Sequence, residues 1–274
     1  MSFVPLATGA TLLGLGFAAY QSTRYAWWTR PQPWHWPRVL MYHMVSDHRQ
    51  GARFNKLRVP PDRFEQQVRW LADNGFSFVH ASALAQPQTL PPKPVCLTFD
   101  DGYRDNLEHA DPVLARHGAC ATLYLVGDRS GGWSSKKKAH HADDELASEP
   151  KLSDEQVRAL LATGRWELGG HTDTHENLPK LDDDAAAEQI ASSRKQFPAV
   201  FDTPAPSFAY PFGLFGPRDA ALTRAAGYTL AMRADGGLAD PADWDPMAVP
   251  RIKISGKDRL FAFKIRIKRG RRGW

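Results

Sequence analysis

From residue 38 onward the chain alternates short apolar runs with amphipathic segments, and this alternation limits its fold more than any other feature. Residues 38–42, 76–79, 95–99, 121–126, 166–168, 207–210, 228–232 and 249–254 read as strands. Residues 62–74, 105–117, 153–162, 182–197 and 217–226 read as helices. Phe64, Val68 and Leu71 recur at helical spacing, and Ser153 with Gln156 forms a capping box. Strand and helix in regular turn build parallel β/α units. Seven or eight such units in about 230 residues suit a closed barrel better than an open sheet. No GxGxxG or GxxxxGK[ST] loop supports the open, nucleotide-binding alternative.

Composition narrows the classes further. Of 274 residues, 42% are hydrophobic and 24% charged, which excludes a disordered chain and a polytopic membrane protein. The net charge of +5 is unevenly placed: residues 251–274 hold ten Lys/Arg and one Asp, so +9 sits there and −4 over the rest. The core is therefore not a nucleic-acid binder. Cys96 and Cys120 lie in apolar runs and read as buried thiols; two cysteines form no disulfide framework. Residues 4–20 are mostly apolar and uncharged, followed by Arg24, Arg30 and four tryptophans. They read as an uncleaved membrane anchor within residues 1–30. A Gly-, Lys- and His-rich stretch at 127–150 reads as a surface loop carrying Trp133, His140 and His141. Residues 261–274 read as a basic tail in which Phe261, Phe263, Ile265 and Ile267 alternate with polar residues as in a strand, suited to anionic lipid or to solvent.

Polar residues gather where the expected strands end. His43 follows the first strand, Asp100 and Asp101 the third, His171 and His175 the fifth, Pro211 and Gly213 the sixth. That is the face on which β/α barrels build active sites. Two adjacent carboxylates beside a buried strand repel unless cations relieve them, and on extended chain they point opposite ways. One can face a metal and the other a substrate; a helix N-cap with a turn glycine is the alternative. His171 and His175 stand four residues apart, as on one face of a helical turn, which is the spacing of metal-binding pairs. Thr172 replaces the glutamate of the zincin motif. Two histidines and one aspartate leave open coordination positions, as a catalytic metal needs.

Together, Thr98-Phe99-Asp100-Asp101-Gly102, the His171/His175 motif and Phe208-Ala209-Tyr210-Pro211-Phe212-Gly213 resemble the NodB-homology polysaccharide deacetylases, carbohydrate esterase family 4. The resemblance covers about residues 92–254 and implies an α/β fold, a distorted (β/α)7 TIM-like barrel over 38–260, that removes N-acetyl groups from amino sugars. By motif position it implies Asp101, His171 and His175 as ligands of one divalent metal, zinc first and cobalt, nickel or iron as alternatives. It makes Asp100 the general base, the Tyr103 backbone N–H an oxyanion donor, and Tyr210, Pro211 and Phe212 substrate-binding. Trp244, in an Asp-x-x-Asp-Trp pattern, would wall the acetyl pocket.

Two family features are missing. No histidine follows His175 to serve as the late general acid, and Phe208 stands where the family has arginine. Leu40-Met41-Tyr42-His43 resembles the poly-N-acetylglucosamine deacetylase branch, in which a histidine after the first strand is the acid, so His43 takes that role. Arg251, in the last strand, is the expected substitute for the arginine, pairing with Asp100. The expected partner is an acetylated amino-sugar glycan, with no nucleic acid. The expected place is the inner membrane of a bacterial-type envelope, on its periplasmic side, with the cytoplasmic side, which Arg24 and Arg30 would favour by the positive-inside rule, as the alternative. A deacylase of lipid-linked or lipopolysaccharide sugars and a catalytically inactive glycan-binding module are the rival readings.

Overall fold

A computed structural model describes residues 5–25, 28–129, 145–146 and 148–271. The strands are β1 (Arg38–Tyr42), β2 (Ser77–Phe78), β3 (Pro94–Asp100), β4 (Ala121–Leu125), β5 (Trp166–Gly170), β6 (Ser207–Ala209), β7 (Leu230–Gly236) and β8 (Val249–Lys253). All pair in parallel. The order β1-β8-β7-β6-β5-β4-β3 closes on itself through a full-length β1–β3 ladder, which makes a seven-stranded barrel. The eighth strand, β2, pairs with β3 at Pro94 and Val95, below the point where β4 joins at Leu97. The expected (β/α)7 barrel is the fold.

Side-chain parity divides the core in two. On β3, Val95, Leu97 and Phe99 face the helices, while Cys96 joins Val39, Tyr124, Ala209, Met232 and Val249 in a second cluster drawn from six strands, the barrel interior. Asp100 and Arg251 share the inward parity of Cys96 and Val249, so the alternation of the strands sets which polar groups meet inside. Cys96 is buried as expected, whereas Cys120 is only partly covered.

The helices are α1 (Pro5–Tyr25), α2 (Pro61–Asp73), α3 (Asp111–Arg116), α4 (Asp154–Ala162), α5 (Asp183–Phe201), α6 (Pro217–Ala225) and α7 (Leu260–Arg269). Helix α2 buries Phe64, Gln67, Val68 and Leu71, and Phe64 meets Tyr42 and Phe99 edge-on at 5.3 and 5.8 Å. At α4, Ser153 Oγ accepts from Gln156 N–H (3.3 Å) and Gln156 Oε1 from Ser153 N–H (2.9 Å), completing the expected capping box.

Three expectations are corrected or fall outside view. The apolar N-terminal run does form a helix, α1, and its 21 residues would reach across a bilayer at about 1.5 Å each. Glycines, threonines and the polar turn Gln21–Arg24 dilute it, however. No helix among the described residues is long and apolar enough to cross a membrane. The tail is helix α7 rather than a strand: Phe263 and Ile267, four residues apart, bury one face together with Ala262 and Ile265, and Phe261 is left 55% exposed. Phe263 meets Trp70 of α2 at 6.1 Å, and Gly270 caps the helix at φ +81°. Residues 130–144, with Trp133, His140 and His141, lie outside the described residues, as do 147 and 272–274.

Candidate active site

Asp100 ends β3, and the chain then takes two left-handed residues, Asp101 (φ +80°) and Gly102 (φ +78°). Asp101 N–H still donates to Tyr124 C=O (3.0 Å), so this turn is anchored to β4. It sends the two carboxylates to different partners. Asp100 takes both ends of the Arg251 guanidinium, with Nη1 at 2.6 Å and Nη2 at 2.8 Å. Arg251 also donates to Thr98 Oγ1 (3.1 Å) and to Arg233 C=O (3.0 Å), and it is fully buried. Burial is the strongest single influence and would push the Asp100 carboxyl up, but the charge and hydrogen bonds of Arg251, together with the charges of His171 and His43, outweigh it and hold the group below its usual range. The expected pairing of Arg251 with Asp100 is therefore present, in a bidentate geometry lysine could not copy.

Asp101 turns to the histidines. Its Oδ1 lies 3.3 Å from His171 Nε2 and 3.2 Å from His175 Nε2, and all three side chains are buried. The pair does not sit on a helical turn. Residues 171–177 form an irregular loop with positive φ at Thr172 (+63°) and His175 (+60°), braced where Gln189 Oε1 accepts from the N–H groups of Asp173 and Thr174.

These three residues fit a metal. Their ligand atoms lie within 4.8 Å of one another, and donors about 2.1 Å from a tetrahedral zinc stand roughly 3.4 Å apart. His171 Nδ1–H donates to Ala209 C=O (2.6 Å), so a neutral ring aims its Nε2 lone pair at the Asp101 carboxylate. Two acceptors face to face need a cation or a proton between them. Burial opposes charge on His171, and the hydrogen bond to Asp101 with the charges of Asp100 and Asp101 raises its pKa regardless.

His43 follows β1, is half-buried and feels the charges of Asp101, Asp100, Arg251 and His171, so it stands among them. Burial is the strongest influence and lowers its pKa, with the two carboxylates opposing. Tyr103 forms an isolated antiparallel bridge with Lys151. Its two hydrogen bonds run from Arg104 N–H to Pro150 C=O and from Leu152 N–H to Gly102 C=O, leaving Tyr103 N–H outside the ladder.

The expected substrate wall is placed differently. Phe212, at φ +59°, packs its ring edge-on against His175 (4.6 Å). Pro211 is buried, and Tyr210 is fully buried, stacked on Phe215 with its hydroxyl donating to Met247 C=O (3.0 Å). Trp244 precedes Pro246, whose carbonyl accepts from Ala231 N–H near the start of β7 (2.7 Å), and it packs on the barrel-interior cluster. That is the opposite end of β7 from the carboxylates, so Trp244 does not wall this site.

Sequence reasoning missed the support beneath it. Asn106 Nδ2 donates to His43 C=O (2.9 Å) from a π-helical turn, Asn106–Ala110, inside what had read as plain helix. Arg58, fully buried, donates to Glu149 (2.7 Å) and Glu145 (3.1 Å), tying the loop after β1 to the far end of the 127–150 stretch. Beside them Asp105 is pushed up to about 7, chiefly by burial, with the Val45 backbone N–H offsetting part of the effect. Below about pH 4 this carboxyl is protonated whether folded or unfolded. Above that the unfolded chain ionises while the buried group keeps its proton to about 7, so folding loses stability across the window, by up to ~4 kcal/mol. Replacing Asp105 by asparagine should remove that loss. Denaturant unfolding should find D105N at least as stable as the parent at pH 8 and flatter between pH 4 and 8; a variant weaker at pH 8 would contradict this account.

Known proteins resemble this chain in sequence and in fold. The family model for polysaccharide deacetylase matches residues 88–231. A Bacillus subtilis (strain 168) protein named as a polysaccharide deacetylase, YxkH, is 30% identical over 234 residues, 84% of this chain and 75% of its own length. The poly-beta-1,6-N-acetyl-D-glucosamine N-deacetylase of Staphylococcus aureus (strain N315) is 24% identical over 222 residues, 77% of this chain and 71% of that one. Among solved structures, Streptococcus pyogenes deacetylase PplD superposes with a TM-score of 0.69 at 22% identity, covering 83% of this chain and 94% of that chain. IcaB from Ammonifex degensii gives 0.67 at 23%, covering 85% and 95%. These two share the fold.

Proposed function

The chain belongs to the polysaccharide deacetylase family, and from that premise we propose that it is a metal-dependent hydrolase removing N-acetyl groups from the amino sugars of a glycan. The observation that carries this reading is the division of labour after β3: Asp101 with His171 and His175, Asp100 with Arg251. Asp101, His171 and His175 would hold the cation, and the donor set suits zinc. When bound there, a divalent cation supplies the Lewis acidity that an amide, a poor electrophile, requires.

The chain's own residues divide the rest. Asp100, kept ionised by Arg251, accepts the proton of the attacking water. Tyr103 N–H, outside any backbone ladder, donates to the oxyanion as it develops on the former carbonyl oxygen. His43, beside both carboxylates, gives a proton to the leaving amine, and Asn106 fixes the backbone from which it projects. Phe212 covers one face of His175 and limits where a substrate can lie. The amino-sugar substrate is supported by the polymer named for the Staphylococcus aureus relative. A binding module without turnover has no use for a buried carboxylate held ionised by a buried arginine.

The test is acetate release from a β-linked N-acetylglucosamine oligomer by chelator-stripped protein, before and after adding Zn²⁺ or Co²⁺. The reading expects release to vanish on stripping and to return with metal. Release indifferent to the chelator, or absent with every metal, would overturn it.

A further inference from the structure

A cleft of about 540 Å³ lies between the end of β7, the end of β8 and the C-terminal turn of α7, and its lining includes Arg251, the partner of Asp100. Its lining carries Arg251, Lys253, Arg266, Arg269 and Arg271 against one acid, Asp235. Arg251 is spoken for by Asp100, and Arg266 by Asp258 (2.6 Å). The Asp235 carboxylate accepts from Arg233 (2.9 Å), so Lys253 and Arg271 alone outweigh what negative charge the cleft retains. The Arg269 guanidinium is held below its usual value by burial and then by the charge of Arg271. Such crowding of like charge is relieved by an anion between them.

The walls are built rather than draped. Gln32 N–H donates to Lys268 C=O (2.9 Å) and buried Arg38 to Ile267 C=O (3.1 Å), fixing the end of α7 to the start of the barrel. Gly237 and Gly270 pack so closely that a Cβ on Gly237 would come within 2.7 Å of the Gly270 carbonyl oxygen. Cations at a helix C-terminus complement its dipole, which accounts for Arg269 and Arg271. It does not account for Lys253, which arrives from β8 to face them.

We propose that this cleft binds a phosphoryl group carried by a ligand of sugar-phosphate size. Guanidinium forks match phosphate oxygens bidentately, and an ammonium opposite supplies a point charge. The inference concerns a ligand and not the deacetylase chemistry: Arg251 borders the cleft but is already bound to Asp100, so the contacts offered to phosphate are those of Lys253 and Arg271.

The experiment is calorimetric titration of the full chain with inorganic phosphate and with glucose 6-phosphate, beside co-sedimentation with phosphatidylglycerol and phosphatidylcholine vesicles. Lys253 and Arg271 are exposed, so K253A, R271A and the double variant test the cleft without disturbing the core. Saturable binding of the soluble phosphates is expected. Each single variant should weaken it by about tenfold, the cost of one charge-assisted contact, and added salt should weaken it further. Absence of saturable binding, or equal binding by the double variant, would overturn the proposal. So would binding to phosphatidylglycerol vesicles alone, because that needs only a basic surface and no cleft.

Discussion

Asp101→Asn is expected to lower acetate release by about a thousandfold or more, equivalent to roughly 4 kcal/mol of transition-state stabilisation, and to strip the protein of bound metal. Asp101 is the point through which both histidines are joined, since one oxygen lies 3.3 Å from His171 and 3.2 Å from His175. An amide in its place offers a weaker oxygen and no charge, so the cation would lose the one anionic member of the Asp101, His171, His175 set. The substitution is also kind to the fold. Asp101 sits at φ +80°, and asparagine is among the few non-glycine residues that accept the left-handed region readily. An alanine there would confuse strain with chemistry. The measurement is acetate release together with metal content by elemental analysis and unfolding in the presence of chelator. Metal content and activity should fall together while the metal-free variant unfolds close to the metal-free parent. Retained turnover in a metal-depleted D101N would remove the metal assignment altogether.

What could be read from the sequence, and what could not, follows the range of the interactions. The β/α alternation is a local pattern, and it gave the barrel. The carboxylates and the histidine pair were legible because each ends its own apolar strand. Arg251 was reachable for a different reason. The resemblance leaves an arginine missing where Phe208 stands, and a last-strand arginine able to pair with Asp100 was its substitute. The α7 segment misled because its apolar residues alternate over only seven positions, 261–267, and the choice between strand and helix was made by docking on Trp70. The Trp244 motif misled because a short pattern carries no information about which end of the barrel a returning loop occupies. The support under the site was invisible: Arg58 meets Glu149 across 91 residues, and nothing local marks either as buried. The apolar N-terminal run was read from its length and composition, and it does form a helix, although no helix among the described residues is long and apolar enough to cross a membrane.

Arg251→Met should damage stability and chemistry by separable routes. In the parent, the guanidinium and the Asp100 carboxylate are both buried and joined by two hydrogen bonds of 2.6 and 2.8 Å. Removing one partner of such a pair leaves an uncompensated charge and typically costs about 3–5 kcal/mol; here Thr98 Oγ1 and the Arg233 carbonyl lose a donor as well. The pH dependence changes sign. With Arg251 present the Asp100 pKa lies below its unfolded value, so its stabilisation is in place above about pH 4 and fades as pH falls through the depressed pKa. Without the guanidinium, burial is the strongest influence left, the pKa rises above the unfolded value, and stability is lost as pH climbs from about 4. The same rise means that the base is protonated at neutral pH. Turnover at pH 7 should then fall by about a hundredfold or more and recover partly toward alkaline pH. The double variant D100N/R251M separates the two effects. With both charges gone it should regain most of the lost stability while staying inactive at every pH. If R251M kept the parent's acid limb in kcat/KM, the arginine would be packing the barrel and no longer holding the base ionised. Arg251→Lys makes the comparison finer: it restores a charge without the fork, so its acid limb should lie between those of the parent and R251M.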